Sequence, residues 1–86
     1  MTVNDLLASN RRLIRARWET ATRWYEVIVA VDLLGDYLLR RYWGSRTTAL
    51  GGNMMEFIRD EDAAMERVAQ IDNERRSRKI PYCRVL

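Results

Sequence analysis

Between Arg23 and Val31 the chain alternates with a period of two. Tyr25, Val27, Val29 and Val31 fall on one side, and Trp24, Glu26 and Ile28 on the other. Successive side chains of a strand point to opposite faces, so this pattern specifies a strand and fixes which face seeks a core. Arg11 to Glu19 repeats the pattern, with Ile14, Ala16 and Trp18 opposed to Arg15, Arg17 and Glu19. Asp32-Leu33-Leu34-Gly35-Asp36 has turn chemistry, with Gly35 suited to positive φ. Tyr37 to Trp43 then returns as a third strand, so the three segments are expected to pair antiparallel. The glycine- and hydroxyl-rich segment from Gly44 to Gly52 reads as a loop, and Asn53 to Ile58 as a fourth strand with Met55 and Phe57 facing one way.

The period changes after Asp60. Ala64, Val68 and Ile71, with Met65 beside them, have the spacing of an amphipathic helix running to about Arg78. Asp60 is a suitable N-cap, Glu61 and Asp62 lie at the positive end of the helix dipole, and Arg75, Arg76, Arg78 and Lys79 lie at the negative end. Pro81 stops the helix, and Tyr82 to Leu86 forms a short strand or an extended tail. Strands grouped before one helix imply an α+β domain: a twisted antiparallel sheet of four to five strands with the long helix on one face. Residues 1–10 read as a flexible lead and residues 11–86 as a single domain.

A composition of 48% hydrophobic and 31% charged residues is that of a globular chain and not a disordered one. The longest uninterrupted apolar run, Val27 to Val31, is far short of the roughly 20 residues of a membrane-spanning helix. The N-terminus lacks the basic and apolar regions of a signal peptide, so a cytoplasmic location is expected. There is no histidine, and Cys83 is the lone cysteine. Glu56, Asp60, Glu61 and Asp62 lack the partners of a metal site or an acid–base pair. No metal, no cofactor and no enzymatic activity are expected.

Fourteen of the fifteen basic residues are arginine, although the net charge is only +3. Guanidinium forks bind phosphate bidentately and stack on flat rings, which suits a polyanion. GC-rich codon usage gives the same skew. The segment that reads as a site runs from Tyr37 to Phe57, where an arginine-bearing strand enters Trp43-Gly44 and passes through Ser45-Arg46-Thr47-Thr48 to Gly51-Gly52. Trp43 is either a stacking platform for a base or a core ring. Alternation places Arg41, not Arg40, on the face of Trp43, while the loop residue Arg46 is free to join either face. Ser45 and Thr48 offer hydroxyls and backbone N–H groups to phosphate, or simply shape a turn. Trp18 and Trp24 read as packing residues, and Arg75, Arg76, Arg78 and Lys79 as dipole complement and solubility charges.

In the order of these features the chain resembles the WGR domain, a family named for a Trp-Gly-Arg motif. The resemblance spans about Arg11 to Tyr82. It rests on Trp24-Tyr25-Glu26, Leu39-Arg40-Arg41-Tyr42-Trp43-Gly44, Thr48, Gly51, Phe57, Ala63-Ala64 and the stretch from Arg75 to Tyr82. Ser45 stands where the family has its arginine, and Pro81-Tyr82 where it has Gly-Tyr. In poly(ADP-ribose) polymerases this domain contacts damaged DNA near a strand end through the motif's tryptophan and arginine. The resemblance therefore implies a small bacterial WGR-like protein that binds DNA without sequence preference through Trp43, with Arg46, Arg41 or Arg40 replacing the missing charge. A protein partner acting on DNA fits the same resemblance. The alternative is a protein-interaction or self-association module, because exposed aromatics and arginines are also enriched at protein interfaces.

Overall fold

Each turn of the sheet is closed by a side chain that the local sequence supplies. Thr20 Oγ1 accepts from the backbone N–H groups of Thr22 and Arg23 at 3.2 and 2.9 Å. This joins β1 (Arg11–Glu19) to β2 (Arg23–Val31). Asp32 Oδ1 accepts from Leu34 and Asp36, each at 2.9 Å, and Gly35 takes φ +83°. That Asx turn leads into β3 (Tyr37–Ser45), which is followed by β4 (Gly51–Ile58), α1 (Glu61–Arg76) and β5 (Cys83–Arg84). The computed structural model describes residues 11–86, and the N-terminal lead, residues 1–10, lies outside the described residues.

The fold is α+β, as the periodicities require: one antiparallel five-stranded sheet in the order β4-β3-β2-β1-β5, with α1 against one face. The register shifts between Arg12 and Ile14 of β1, a bulge opposite Ala30 and Val29. Ala16 and Trp18 of β1, Tyr25, Val27 and Val29 of β2 and Leu39 of β3 meet Ala64, Val68 and Ile71 of α1 in the core. The tail returns after the helix with Tyr82 N–H donating to the Arg75 carbonyl at 3.0 Å, which buries Tyr82 and sets β5 beside β1.

Two polar contacts fix the helix. Asp60 Oδ1 accepts from Ala63 N–H at 2.8 Å as the N-cap. The Trp18 indole N–H, in the core, donates to Asp72 Oδ1 at 2.8 Å. That bond, joined by Arg76 and opposed by burial, holds the Asp72 carboxyl below its ordinary pKa. A carboxylate depressed on folding contributes stability above its unfolded pKa, and the contribution disappears as pH falls through the folded value. Asp72→Asn should therefore be less stable than wild type above about pH 5, with the gap closing below about pH 4. Urea unfolding at pH 7, 5 and 3 checks this, and a gap independent of pH contradicts it.

One sequence expectation is corrected. Gly44 and Gly51-Gly52 are not loop residues but strand residues, pairing as Gly44↔Gly51 and Trp43↔Gly52. The irregular connection is only residues 46–50. The strands extend into glycine because indole rings lie on two of them, Gly44 and Gly52, a long-range contact that local turn propensity does not report.

Candidate functional site

The cross-strand register builds a row of aromatic rings at one end of the helix-side face: Trp18 on β1 opposite Tyr25 on β2, opposite Trp43 on β3, opposite Gly52 on β4. Trp18 meets Tyr25 edge to face, with centroids 6.0 Å apart at 62°. Tyr25 and Trp43 are near-parallel and offset, 6.2 Å apart at 12°. The row grades from a fully buried Trp18 to a half-buried Trp43. An added Cβ at Gly52 would stand 2.8 Å from Trp43 Cζ2, so the indole lies directly against the glycine backbone. On the opposite face Trp24 lies on Gly44 in the same way, its Nε1 2.7 Å from where a Cβ would be.

Arginines cap this row. Arg84 Cζ lies 5.6 Å from the Trp18 ring centroid, and Arg75 Cζ lies 4.1 Å from that of Tyr25. Among the described residues no cation covers Trp43. Beside that ring opens a cleft of about 780 Å³, within the usual range of ligand sites. Tyr25, Trp43 and Tyr82 supply its aromatic surface, and Arg23, Arg41, Arg75 and Arg78 its charge. Thr47, Thr48 and Met54 form its outer wall, and among the described residues no carboxylate lines it.

Arg41 is tied within the site: its Nη2 donates to Glu56 Oε1 at 3.1 Å, and Arg67 Nε donates to the same oxygen at 3.2 Å. Arg67 also stands 4.0 Å from Glu74, so this side of the cleft is close to charge-balanced. Burial disfavours the Arg41 cation, but the neighbouring Tyr25 and Glu56 oxygens outweigh that and raise its pKa. Arg75 continues the buried helix stripe at its C-terminal end and is only 8% exposed; its Nε, like that of Arg41, is buried without a partner, but among the described residues no carboxylate pairs with it.

Trp43 and Arg41 thus share one cleft with Ser45 and Thr48, whereas Arg40 and Arg46 lie apart from it. Arg40 alternates to the opposite face, between Ile28 and Met55 in register. Arg46 leans on the β1–β2 turn, donating to the Thr20 carbonyl at 3.1 Å and standing 3.6 Å from Glu19. On the helix-free face Arg15 pairs with Glu26 at 2.8 Å and Arg17 with Glu19 at 2.8 Å. Ser45 Oγ is spent on the loop, accepting from Thr47 and Thr48 N–H groups at 3.1 Å each. Its role is to hold the wall of the cleft, and Thr48 Oγ1 similarly accepts from Leu50 N–H at 3.3 Å.

The sequence reading missed Arg75 and Tyr82. Positions 64, 68, 71 and 75 share one helical stripe, so Arg75 follows Ile71 at the spacing of four that puts Val68 after Ala64 within the same buried face. Its aromatic neighbours come from other elements and leave no local signature.

Gly52→Ala tests the placement of Trp43 without removing any cleft side chain. The Cβ should displace the indole and cost about 1–3 kcal/mol, read by urea unfolding and by a shifted Trp43 indole NMR signal. An unmoved indole signal contradicts the contact.

No protein-family model matches the chain, and neither a search of curated proteins nor one of solved structures finds a match. Among the described residues no helix is long and apolar enough to cross a membrane, and no group of three or more metal-ligating side chains occurs.

Proposed function

We propose that this domain binds nucleic acid, single-stranded or at an unpaired end and without sequence preference, in the cleft beside Trp43. The observation that carries the reading is a half-buried tryptophan set among four arginines, with neither a capping cation nor a lining carboxylate among the described residues. A base stacking on Trp43 continues the row already formed by Trp18 and Tyr25, and stacking is tolerant of sequence because every base has a π-face. Phosphates on either side of that base meet Arg75 and Arg78 on the helix side and Arg23 at the start of β2. Arg41 contributes from within, and Thr48 at the wall; Arg40, on the opposite face, and Arg46, engaged with Thr20 and Glu19, contribute little. The resemblance to the WGR domain points to the same tryptophan. The cleft's aromatic and arginine lining favours a binding role.

Fluorescence anisotropy with a labelled single-stranded oligonucleotide across a salt series tests it. Two phosphate contacts predict that log K falls with log salt at a slope of about −1.4. Binding that ignores salt, or no binding at low salt, removes the reading. A competing role in protein docking draws on Met55 and Phe57, exposed together on the helix-free face of the edge strand β4. It predicts concentration-dependent self-association or partner binding that Phe57→Ser abolishes and Trp43→Ala leaves intact.

A further inference from the structure

We propose that Arg75 forms a dedicated phosphate subsite at the inner end of the cleft. The inference rests on the cleft being a ligand site, as just argued, and adds which residue fixes the anion and what chemistry the anion has. Arg75 is more than nine-tenths buried, its Nε has no acceptor, and no carboxylate pairs with it among the described residues. Every other arginine that the fold half-buries on the helix side has an acid: Arg41 and Arg67 both meet Glu56. A buried charge without an opposite charge is costly, so its retention calls for an anion from outside. The negative end of the α1 dipole stabilises the cation somewhat but provides no acceptor to the fork.

Geometry selects the anion. The Arg75 guanidinium Cζ lies over the Tyr25 ring, 4.1 Å from its centroid, and 5.6 Å from that of Tyr82. The two rings hold the fork in place, and because a guanidinium hydrogen-bonds in its own plane, its N–H edge is what meets a ligand. A tetrahedral oxyanion that takes two parallel N–H bonds fits such a fork, and exposed Arg78 adds a second charge at the cleft mouth. The shared chemistry is a phosphate group, carried by inorganic phosphate, a nucleoside monophosphate or a nucleic-acid backbone. On Trp43's side of Arg75 the stacking ring suits a base attached to that phosphate.

The test uses the full chain and its Arg75→Gln and Arg75→Lys variants. Thermal unfolding is followed with inorganic phosphate, with a nucleoside monophosphate and with chloride at matched ionic strength, and anisotropy with single-stranded DNA. Phosphate and the monophosphate should raise the wild-type Tm above the chloride control, and Arg75→Gln should abolish the rise. Without ligand, Arg75→Gln should be at least as stable as wild type, because it removes an unpaired buried charge. For DNA, the variant should bind about 10- to 100-fold more weakly at low salt, with a salt slope shallower by about 0.7. Arg75→Lys keeps the charge but not the fork and should recover only part of the affinity. If the glutamine variant fails to fold, an NMR titration of the wild-type Arg75 Nε–H with inorganic phosphate replaces it, and an unmoved signal overturns the subsite. DNA binding that is equal in wild type and Arg75→Gln, with the same slope, overturns the subsite and leaves the nucleic-acid reading standing. Phosphate titrating Arg75 while DNA fails to bind supports the subsite, assigns it to a free phosphate-bearing small molecule and removes the nucleic-acid reading.

Discussion

Replacing Trp18 by alanine is expected to destabilise the domain by about 3–5 kcal/mol, the cost of emptying a large aromatic site in a core. Trp18 is completely buried, meets Tyr25 edge to face, and bonds α1 through Asp72 at 2.8 Å. The substitution removes all three contacts and leaves the Asp72 carboxylate with Arg76 as its remaining side-chain partner. Domains of this size have total stabilities of only about 5–15 kcal/mol, so the variant should sit near the edge of folding. Thermal unfolding by circular dichroism should show Tm lowered by more than about 12 °C. Trp18→Phe separates the terms: it keeps most of the apolar burial but orphans the Asp72 contact, and should cost about 1–3 kcal/mol. Equal costs for the two variants would mean that the hydrogen bond, and not the packing, carries the effect.

The second large effect is on binding and not on folding. Trp43→Ala should weaken single-stranded nucleic-acid binding by about 5- to 150-fold, the equivalent of roughly 1–3 kcal/mol for one stacked base. The ring is half-buried at the outer end of the aromatic row, so its loss should cost less stability than that of Trp18. Trp43→Phe preserves a stacking face and should retain most of the affinity. Phe57→Ser, on the other face of the sheet and 70% exposed at present, should leave affinity unchanged. Isothermal titration at one low salt concentration compares all four proteins. An affinity that falls as far in Phe57→Ser as in Trp43→Ala would move the interface to the helix-free face.

What local pattern encodes was readable, and what arises between elements was not. β1 and β2 run over the spans that their alternation marks, and α1 begins at the N-cap that Asp60 announces. Gly44, Gly51 and Gly52 looked like loop residues because glycine interrupts strand propensity when judged locally. In the fold two of them carry indole rings, Trp24 on Gly44 and Trp43 on Gly52, and those contacts join residues 20 and 9 positions apart. Alternation correctly joined Arg41 to Trp43 and excluded Arg40. Arg46 had no such constraint, and its position follows from a bond to Thr20 across the sheet's end. Arg75 was hardest to see, because a basic residue in a last helical turn has a sufficient local explanation. Only the return of Tyr82 and the position of Tyr25 reveal that it is buried.

The central claim, that ligand enters beside Trp43 between the sheet and the end of α1, is tested most directly by NMR on the isotopically labelled chain titrated with a short single-stranded oligonucleotide. Shifts should concentrate on the Trp43 indole, Tyr25, Thr48, Arg75 and Arg78, while the Trp18 indole, bonded to Asp72 in the core, should move far less. Shifts centred on Met55 and Phe57, or none at saturating oligonucleotide, would contradict it.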